Sequence, residues 1–321
     1  MKSIQELSAL ITDELSRVEY PQTPSLLYEP IDYILGLGGK RMRPILVLMA
    51  YQLFDKNIEK AISPALAIEV FHNFTLLHDD IMDNAPLRRG QKTVHEKWNN
   101  NVAILSGDTM LVQAYQLIAQ VDDTIVKQVL AVFSKAAIQV CEGQQCDMDF
   151  ETQSDVSIPD YLKMIEYKTA VLLGAALQIG GITAGASKED QNHLYAFGRD
   201  LGIAFQLKDD LLDAFGDADA FGKQVGGDIM ANKKTYLYLK ALAIADGTQR
   251  QNLEQYFSTN DTSQVKVDAV KTIFSNLKIP ELTTNLIREY HARAMENLAA
   301  IDSENKEPLL AFSALLMDRV S

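Results

Sequence analysis

Apolar residues recur at three- and four-residue spacing along nearly the whole chain, and stretches that alternate apolar with polar side chains are scarce. That pattern buries one stripe of a helix and cannot bury one face of a strand, so the chain is expected to be all-α. Its punctuation agrees. In "ISPALAIEVFHNFTLLHDDIMDNAP", Ser63 can cap a helix, Pro64 suits the first turn and Pro86 marks the stop, which predicts one helix of about 20 residues. "KEDQNHLYAFGRDLGIAFQLKDDLLDAFGD" predicts another running to about Phe215, with Gly216 as its terminator. Further helices are expected over about 42–54, 99–119, 125–150, 159–186 and 229–245, with several more toward the C-terminus. The opening "MKSIQELSALITDELSRVEY" reads as an amphipathic helix; acidic residues interrupt the apolar run that an export signal needs.

No linker-like tract divides the 321 residues, so one domain over 1–321 is expected. The uncharged run from Thr169 to Ser187 approaches the length of a membrane span. Gln178 and the glycines at 174, 180, 181 and 185 mark it instead as a buried core helix, and no transmembrane segment is expected. A net charge of −13 opposes a general nucleic-acid or anionic-membrane surface, so any anion site must be local. Cys141 and Cys146 are too few for a disulfide framework and lack the companions of a zinc site, which points to reduced thiols in the cytoplasm.

Two acidic clusters stand out. "LLHDDIMDNAPLRRG" carries Asp79, Asp80 and Asp83, and "FQLKDDLLD" repeats that spacing with Asp209, Asp210 and Asp213, 130 residues later. On a helix the outer two aspartates of each cluster lie about 40° apart on one face, roughly 6 Å from each other, while the middle one points aside. Such a pair repels by about 0.7 kcal/mol in water but roughly 3 kcal/mol at an effective dielectric of about 20. On an open surface that is an ordinary acidic face; in a cleft it calls for a cation. Each cluster follows a strongly apolar stretch, "VFHNFTLL" and "LGIAFQL", which favours the cleft. Hard oxygen donors without His or Cys suit Mg2+ shared with a substrate phosphate. An EF-hand is excluded because its loop glycine and closing glutamate are absent.

Cations accompany the carboxylates. "GLGGKRMRP" places Lys40 and Arg43 three apart where a helix begins, and helix N-termini favour anions. It is not a nucleotide P-loop: no Ser or Thr follows the lysine, and the segment before it is helical. Arg88 and Arg89 lie just past the first cluster, and guanidinium forks match phosphate oxygens. "FGKQVGGDIMANKKT" adds Lys223, Lys233 and Lys234 on a glycine-containing segment that could close over a ligand. Any one of these alone is an ordinary solvated turn.

Taken in order, "GGKRMRP", "LLHDDIMDNAPLRRG", "GDTML", "GQQCD", "KTA", "FQLKDDLLD" and "GKQVGGDIMANKKT" resemble the trans-prenyltransferase (polyprenyl synthetase) family, the all-E isoprenyl diphosphate synthases. The resemblance runs from Gly38 to Thr235 and weakens in the N-terminal 30 residues and after about residue 245. It implies a multi-helix bundle around a deep central cavity, the isoprenoid synthase fold, working as a homodimer. The activity implied is a head-to-tail condensation, a transfer of class 2.5.1, of isopentenyl diphosphate with dimethylallyl, geranyl or farnesyl diphosphate. The resemblance implies a trio of Mg2+ ions held directly by Asp79, Asp83 and Asp209, with Asp80, Asp210 and Asp213 supporting through water or through neighbours of the ligands. Arg88, Lys168, Lys223 and Lys233 would contact the allylic diphosphate, and Lys40, Arg43, His72 and Arg89 would hold isopentenyl diphosphate. Thr169, Gln206, Gln144 and Asp147 match positions that line the reaction centre. A lone histidine such as His72 on an apolar helix is otherwise an ordinary core residue, and Asp147 late in a helix an ordinary solvated one. Ala231 and Asn232 stand where the family often has Glu-Gly before the closing lysine, which leaves Lys233 and Lys234 as alternatives for the main contact.

Product length should follow from how deep the cavity runs below Asp79. Phe74 lies about 7.5 Å lower along the helix, although helical-wheel geometry alone puts Thr75 more directly beneath Asp79. In the family, an aromatic at Phe74 beside a small Thr75, without an insertion between Asp80 and Asp83, looks like an arrangement for C15 to C20 products, C20 favoured. Two rival roles fit parts of the pattern. A terpene cyclase or head-to-head synthase also ionises prenyl diphosphates but has no use for the cation set of Lys40, Arg43 and Arg89. A non-catalytic subunit of a heteromeric synthase would be expected to lose an aspartate cluster, and both are intact.

Overall fold

The computed structural model describes residues 2–216 and 225–317, and among these it is helical apart from one short hairpin. Its backbone contacts gather into two compact units. The first comprises residues 1–134, 175–194 and 302–309, and the second 135–174, 195–301 and 310–321.

The first unit begins with α1 (Ile4–Ser16), opened by a capping box in which the Ser3 hydroxyl accepts from the Glu6 N–H and the Glu6 carboxylate accepts from the Ser3 N–H. There follow α2 (Ser25–Gly36), α3 (Met42–Gln52), a 3-10 turn (Ile58–Ala61) and α4 (Ile62–Met82). The hairpin β1 (Leu87–Arg88) and β2 (Gln91–Lys92) leads to α5 (Val94–Lys97), α6 (Asn100–Ile118) and the start of α7 (Val126–Thr152). Helix α4 packs on α3 and α6. The Phe71 ring is fully buried against Phe74 and Phe133, with centroids 5.7 and 5.3 Å away, and burial of this kind contributes about 1.5–3 kcal/mol per side chain. Residues 175–194 add most of α9 (Val171–Thr183) and the start of α10 (Lys188–Phe215). There Gly180 meets the Val47 carbonyl so closely that no side chain would fit between α9 and α3.

The second unit holds the rest of α7, then α8 (Ile158–Ile165), a π-helical segment (Glu166–Ala170) and the body of α10. It continues with α11 (Gly227–Met230), α12 (Tyr236–Ile244), α13 (Gly247–Phe257), α14 (Gln264–Asn276) and α15 (Ile279–Ala300), and takes most of α16 (Glu307–Met317). Its core joins Tyr161 and Ile165 to Leu207, Leu237, Phe274 and Ile287.

The all-α expectation holds, as does a helix ending at Phe215, where the Gly216 N–H donates back to the Leu212 carbonyl. Four local expectations need correction. Ser63 does not cap α4, which starts at Ile62; its hydroxyl instead donates to the Leu117 carbonyl and Gln120. That helix ends at Met82 rather than at Pro86, so Asp79 lies in its last turn and Asp83 is the capping residue beyond it. The stretch 159–186 is not one regular helix, because π-helical hydrogen bonding interrupts it at 166–170. The stretch 229–245 is broken between Met230 and Tyr236, where Asn232 adopts φ 56°. Among the described residues no helix is long and apolar enough to cross a membrane, and the run around α9 is a buried core helix.

Candidate active site

In the first acidic cluster the three aspartates have separate environments. Asp80 is buried at 2% exposure, and Arg88 from the hairpin grips it through Nε at 2.8–2.9 Å and Nη2 at 2.7 Å. Asp79 is half-buried and Asp83 exposed. The second cluster repeats the division: Asp210 is buried, while Asp209 and Asp213 are half-buried. The sequence-derived expectation that the middle aspartate turns aside is met in both, and the turn is inward.

Asp210 terminates a polar chain within the second unit. The buried Tyr161 hydroxyl donates to it, as does Gln206 Nε2 at 3.2 Å, and Thr169 Oγ1 donates to Gln206 Oε1 at 3.4 Å. Burial first, and the Asp228 carboxylate second, push the Asp210 carboxyl up to about 7 against the pull of those donors. Burial holds the Tyr161 hydroxyl well above its ordinary range, with Asp210 adding to it, so the phenol stays a donor. Tyr161→Phe leaves a buried carboxylate short of a partner. It is expected to lower kcat/KM about 5- to 20-fold, equivalent to ~1–2 kcal/mol, with the overall fold retained; steady-state kinetics and circular dichroism check both parts.

Lys168 and Thr169 lie on the π-helical segment, a local widening that re-aims side chains. Gly143 of α7 lies so close to that segment that a Cβ there would stand 2.2 Å from the Lys168 amide nitrogen. Lys168 Nζ pairs with Asp147 Oδ2 at 2.5 Å, and Gln144 is buried one residue after Gly143. Further along, the Asp228 N–H donates to Asp213 Oδ2 at 3.0 Å, and Lys233 Nζ lies 3.5 Å from Asp228 Oδ1. Lys234 turns away, its Nζ donating to the Phe150 carbonyl at 2.5 Å, whereas the Lys233 side chain is 56% exposed. Lys223 lies outside the described residues.

The basic set of the first unit is built around α4. Arg43 donates to His72 Nε2 at 3.1 Å; a guanidinium cannot accept, so the imidazole proton resides on Nδ1. Burial, followed by the surrounding Arg43, Arg89, Arg88 and Arg41, holds His72 well below its ordinary value, and the ring is neutral. Arg89 reaches over Gly39 and donates to the Gly38 carbonyl; a Cβ at Gly39 would stand 2.8 Å from the guanidinium. Lys40 is exposed at the same turn. Sequence reasoning missed Arg41, which is buried and pairs with Glu69 while donating to the Leu35 carbonyl; Asn73 in turn donates to Glu69. The signal was present, since one glutamate inside "LAIEVF" must find a partner when buried. Tyr161 and Asp228 were missed too. Of the two residues expected to govern product length, Phe74 is 8% exposed and its ring contacts His78 at a centroid distance of 4.7 Å, while the Thr75 hydroxyl donates to the His72 carbonyl.

Among the described residues no three His, Cys, Asp or Glu side chains converge as a finished metal cage. Carboxylates that lie near solvent nonetheless fit a divalent ion such as Mg2+, which takes one or two protein carboxylates and completes its shell with water and phosphate oxygens. The helix ends make the point more sharply: both clusters place negative charge at the C-terminal end of a helix, where the dipole opposes it.

Residues 24–276 match the polyprenyl synthetase family. The geranylgeranyl diphosphate synthase of Methanosarcina mazei is 41% identical over 231 residues, 71% of this chain and 70% of that protein. A crystal structure of a geranylgeranyl pyrophosphate synthase superimposes with a TM-score of 0.95 at 46% identity, covering 100% of both chains. The polyprenyl synthase of Caulobacter crescentus CB15, solved with calcium and isoprenyl diphosphate, gives a TM-score of 0.84 at 27% identity over 99% of this chain and 95% of that one. The chain belongs to the polyprenyl synthetase family, with the isoprenoid synthase fold, and is a trans-prenyltransferase of the short-chain prenyl diphosphate synthase type.

Proposed function

We propose that this enzyme condenses isopentenyl diphosphate head-to-tail with an allylic diphosphate and releases mainly the C20 product, geranylgeranyl diphosphate. The observation that carries the reading is the shared division of labour in the two clusters: Asp80 and Asp210 are buried and held by Arg88 and Tyr161, and the outer aspartates remain near solvent. Mg2+ held by Asp79, Asp83 and Asp209 would neutralise charge on the departing diphosphate; the Caulobacter crescentus relative, solved with calcium and isoprenyl diphosphate, supports a divalent ion beside a diphosphate. Arg88, Lys168 and Lys233, joined by Lys223, bind the allylic diphosphate and stabilise it as the C–O bond breaks. Arg43, Arg89, Lys40 and neutral His72 orient isopentenyl diphosphate for attack on the allylic carbon. Thr169 and Gln206 present oxygens to the cationic carbon, and the apolar walls exclude the water that would hydrolyse it. The diphosphate released is the acceptor for the final proton.

A homodimer of single-domain subunits is part of the proposal. It is supported by α6, whose Leu105, Val112 and Ile104 are 59%, 58% and 42% exposed, an apolar face that a second copy would cover. The test of function is incubation of purified protein with labelled isopentenyl diphosphate, each allylic starter and Mg2+, followed by product sizing. A main product of C20 is expected, and one beyond C25 would refute Phe74 as the floor. Phe74→Ala, which opens space beside Phe71 and His78, is expected to move the main product up by at least one five-carbon unit; an unchanged distribution removes Phe74 from the account.

A further inference from the structure

Lys266, in the first turn of α14, is a lysine with no exposed surface. A buried ammonium gives up its hydration, and a fold retains one only where protein groups replace the lost water. Here Nζ donates to Asn232 Oδ1 at 2.5 Å, with the Phe257 ring centroid 5.7 Å away. Asn232 occupies the left-handed region, which asparagine tolerates better than most residues, and its Nδ2 donates to the Thr259 carbonyl at 2.8 Å. The next residue is Lys233, whose N–H donates to the Asp228 carbonyl at 2.9 Å.

The neighbour of Lys266 completes the arrangement. Val267 packs on Gly226, where φ is 88° and a Cβ would fall 3.1 Å from Val267 Cγ2 and nearer still to Cγ1. The Gly226 N–H donates to the Asp213 carbonyl at 2.6 Å. Two successive residues of one helix therefore hold both ends of segment 226–232: Val267 the end that touches Asp213, and Lys266 the end that leads into Lys233. An apolar side chain could fill the space of Lys266 without losing hydration, but it could not bond the Asn232 amide.

We propose that Lys266 is a positioning residue that acts through Asn232 to set where Lys233 presents its ammonium to the allylic diphosphate. The inference rests on the reading of Lys233 as a diphosphate contact. It is tested by steady-state kinetics of Lys266→Met, Asn232→Gly, Lys233→Ala and their combinations, each with a thermal midpoint. Lys266→Met and Asn232→Gly are each expected to raise the KM for the allylic diphosphate about 5- to 10-fold, with kcat within about twofold of wild type and the KM for isopentenyl diphosphate unchanged. The double variant should be no worse than either single one, and Lys266→Met should add nothing in the Lys233→Ala background.

A lowered thermal midpoint with an unchanged allylic KM would overturn the proposal, as would an undiminished effect of Lys266→Met when Lys233 is already alanine. Should Lys266→Met fail to fold, Asn232→Gly carries the same test, because glycine suits the backbone angle and the position is half-buried. If Lys233→Ala raises the allylic KM and Asn232→Gly does not, the inference falls and the site reading stands. If Lys233→Ala itself leaves that KM unchanged, both fall.

Discussion

Asp79→Ala and Asp209→Ala, made singly, are expected to lower kcat/KM about 10³-fold or more, a loss of at least ~4 kcal/mol of transition-state stabilisation. The expected effect on folding is small. Both aspartates are half-buried; Asp79 lies in the last turn of α4, where a carboxylate opposes the helix dipole by about 0.3–1 kcal/mol, and Asp209 lies further back on α10, beyond most of that effect. Unfolding free energies without metal should therefore stay within about 1 kcal/mol of wild type. A side chain that the fold does not need and the reaction cannot lose is the mark of a ligand-holding group. Kinetics at saturating Mg2+ together with denaturant unfolding separate the two. A variant that unfolds readily but turns over normally would assign these aspartates to structure.

Arg41→Met is expected to do the reverse, lowering stability by about 3–5 kcal/mol because it strands the Glu69 carboxylate, whose side chain is 2% exposed, without its cation. The two losses differ in kind: one removes an interaction made during reaction, the other leaves an uncompensated charge in the core. Replacing both partners, as in Arg41→Met with Glu69→Leu, should recover much of the deficit, since paired burial of charge contributes little net stability. Denaturant midpoints of the two singles and the double measure the recovery. Because Arg41 anchors the turn that carries Lys40 and Arg43, the single variant should also raise the KM for isopentenyl diphosphate.

The helices were legible in the sequence wherever one apolar stripe and its stop signals decided the outcome, as in α10 and Gly216. They were not legible where a distant partner decided it. Ser63 has the composition of a cap, but the Leu117 carbonyl competes for its hydroxyl, and no local rule reveals that neighbour. The "ANKKT" break depends on Asn232 accepting a left-handed angle in exchange for bonds to Lys266 and Thr259. Spacing and chemistry singled out the aspartate clusters and the cations beside them, whereas Lys168, Thr169, Gln206, Gln144, Asp147 and His72 came only through the family resemblance. The supports of the site came through neither: Tyr161 beneath Asp210 and Arg41 against Glu69 lie 49 and 28 residues from their partners.

The central claim is that both aspartate clusters serve one metal-dependent ionisation. Its most direct test is a titration of bound Mn2+, in place of Mg2+, with and without an allylic thiolodiphosphate that cannot ionise. Wild-type protein should gain bound Mn2+ when the analogue is added, and Asp79→Ala and Asp209→Ala should each lose most of that gain. Retention of the full analogue-dependent uptake by either variant would contradict the claim.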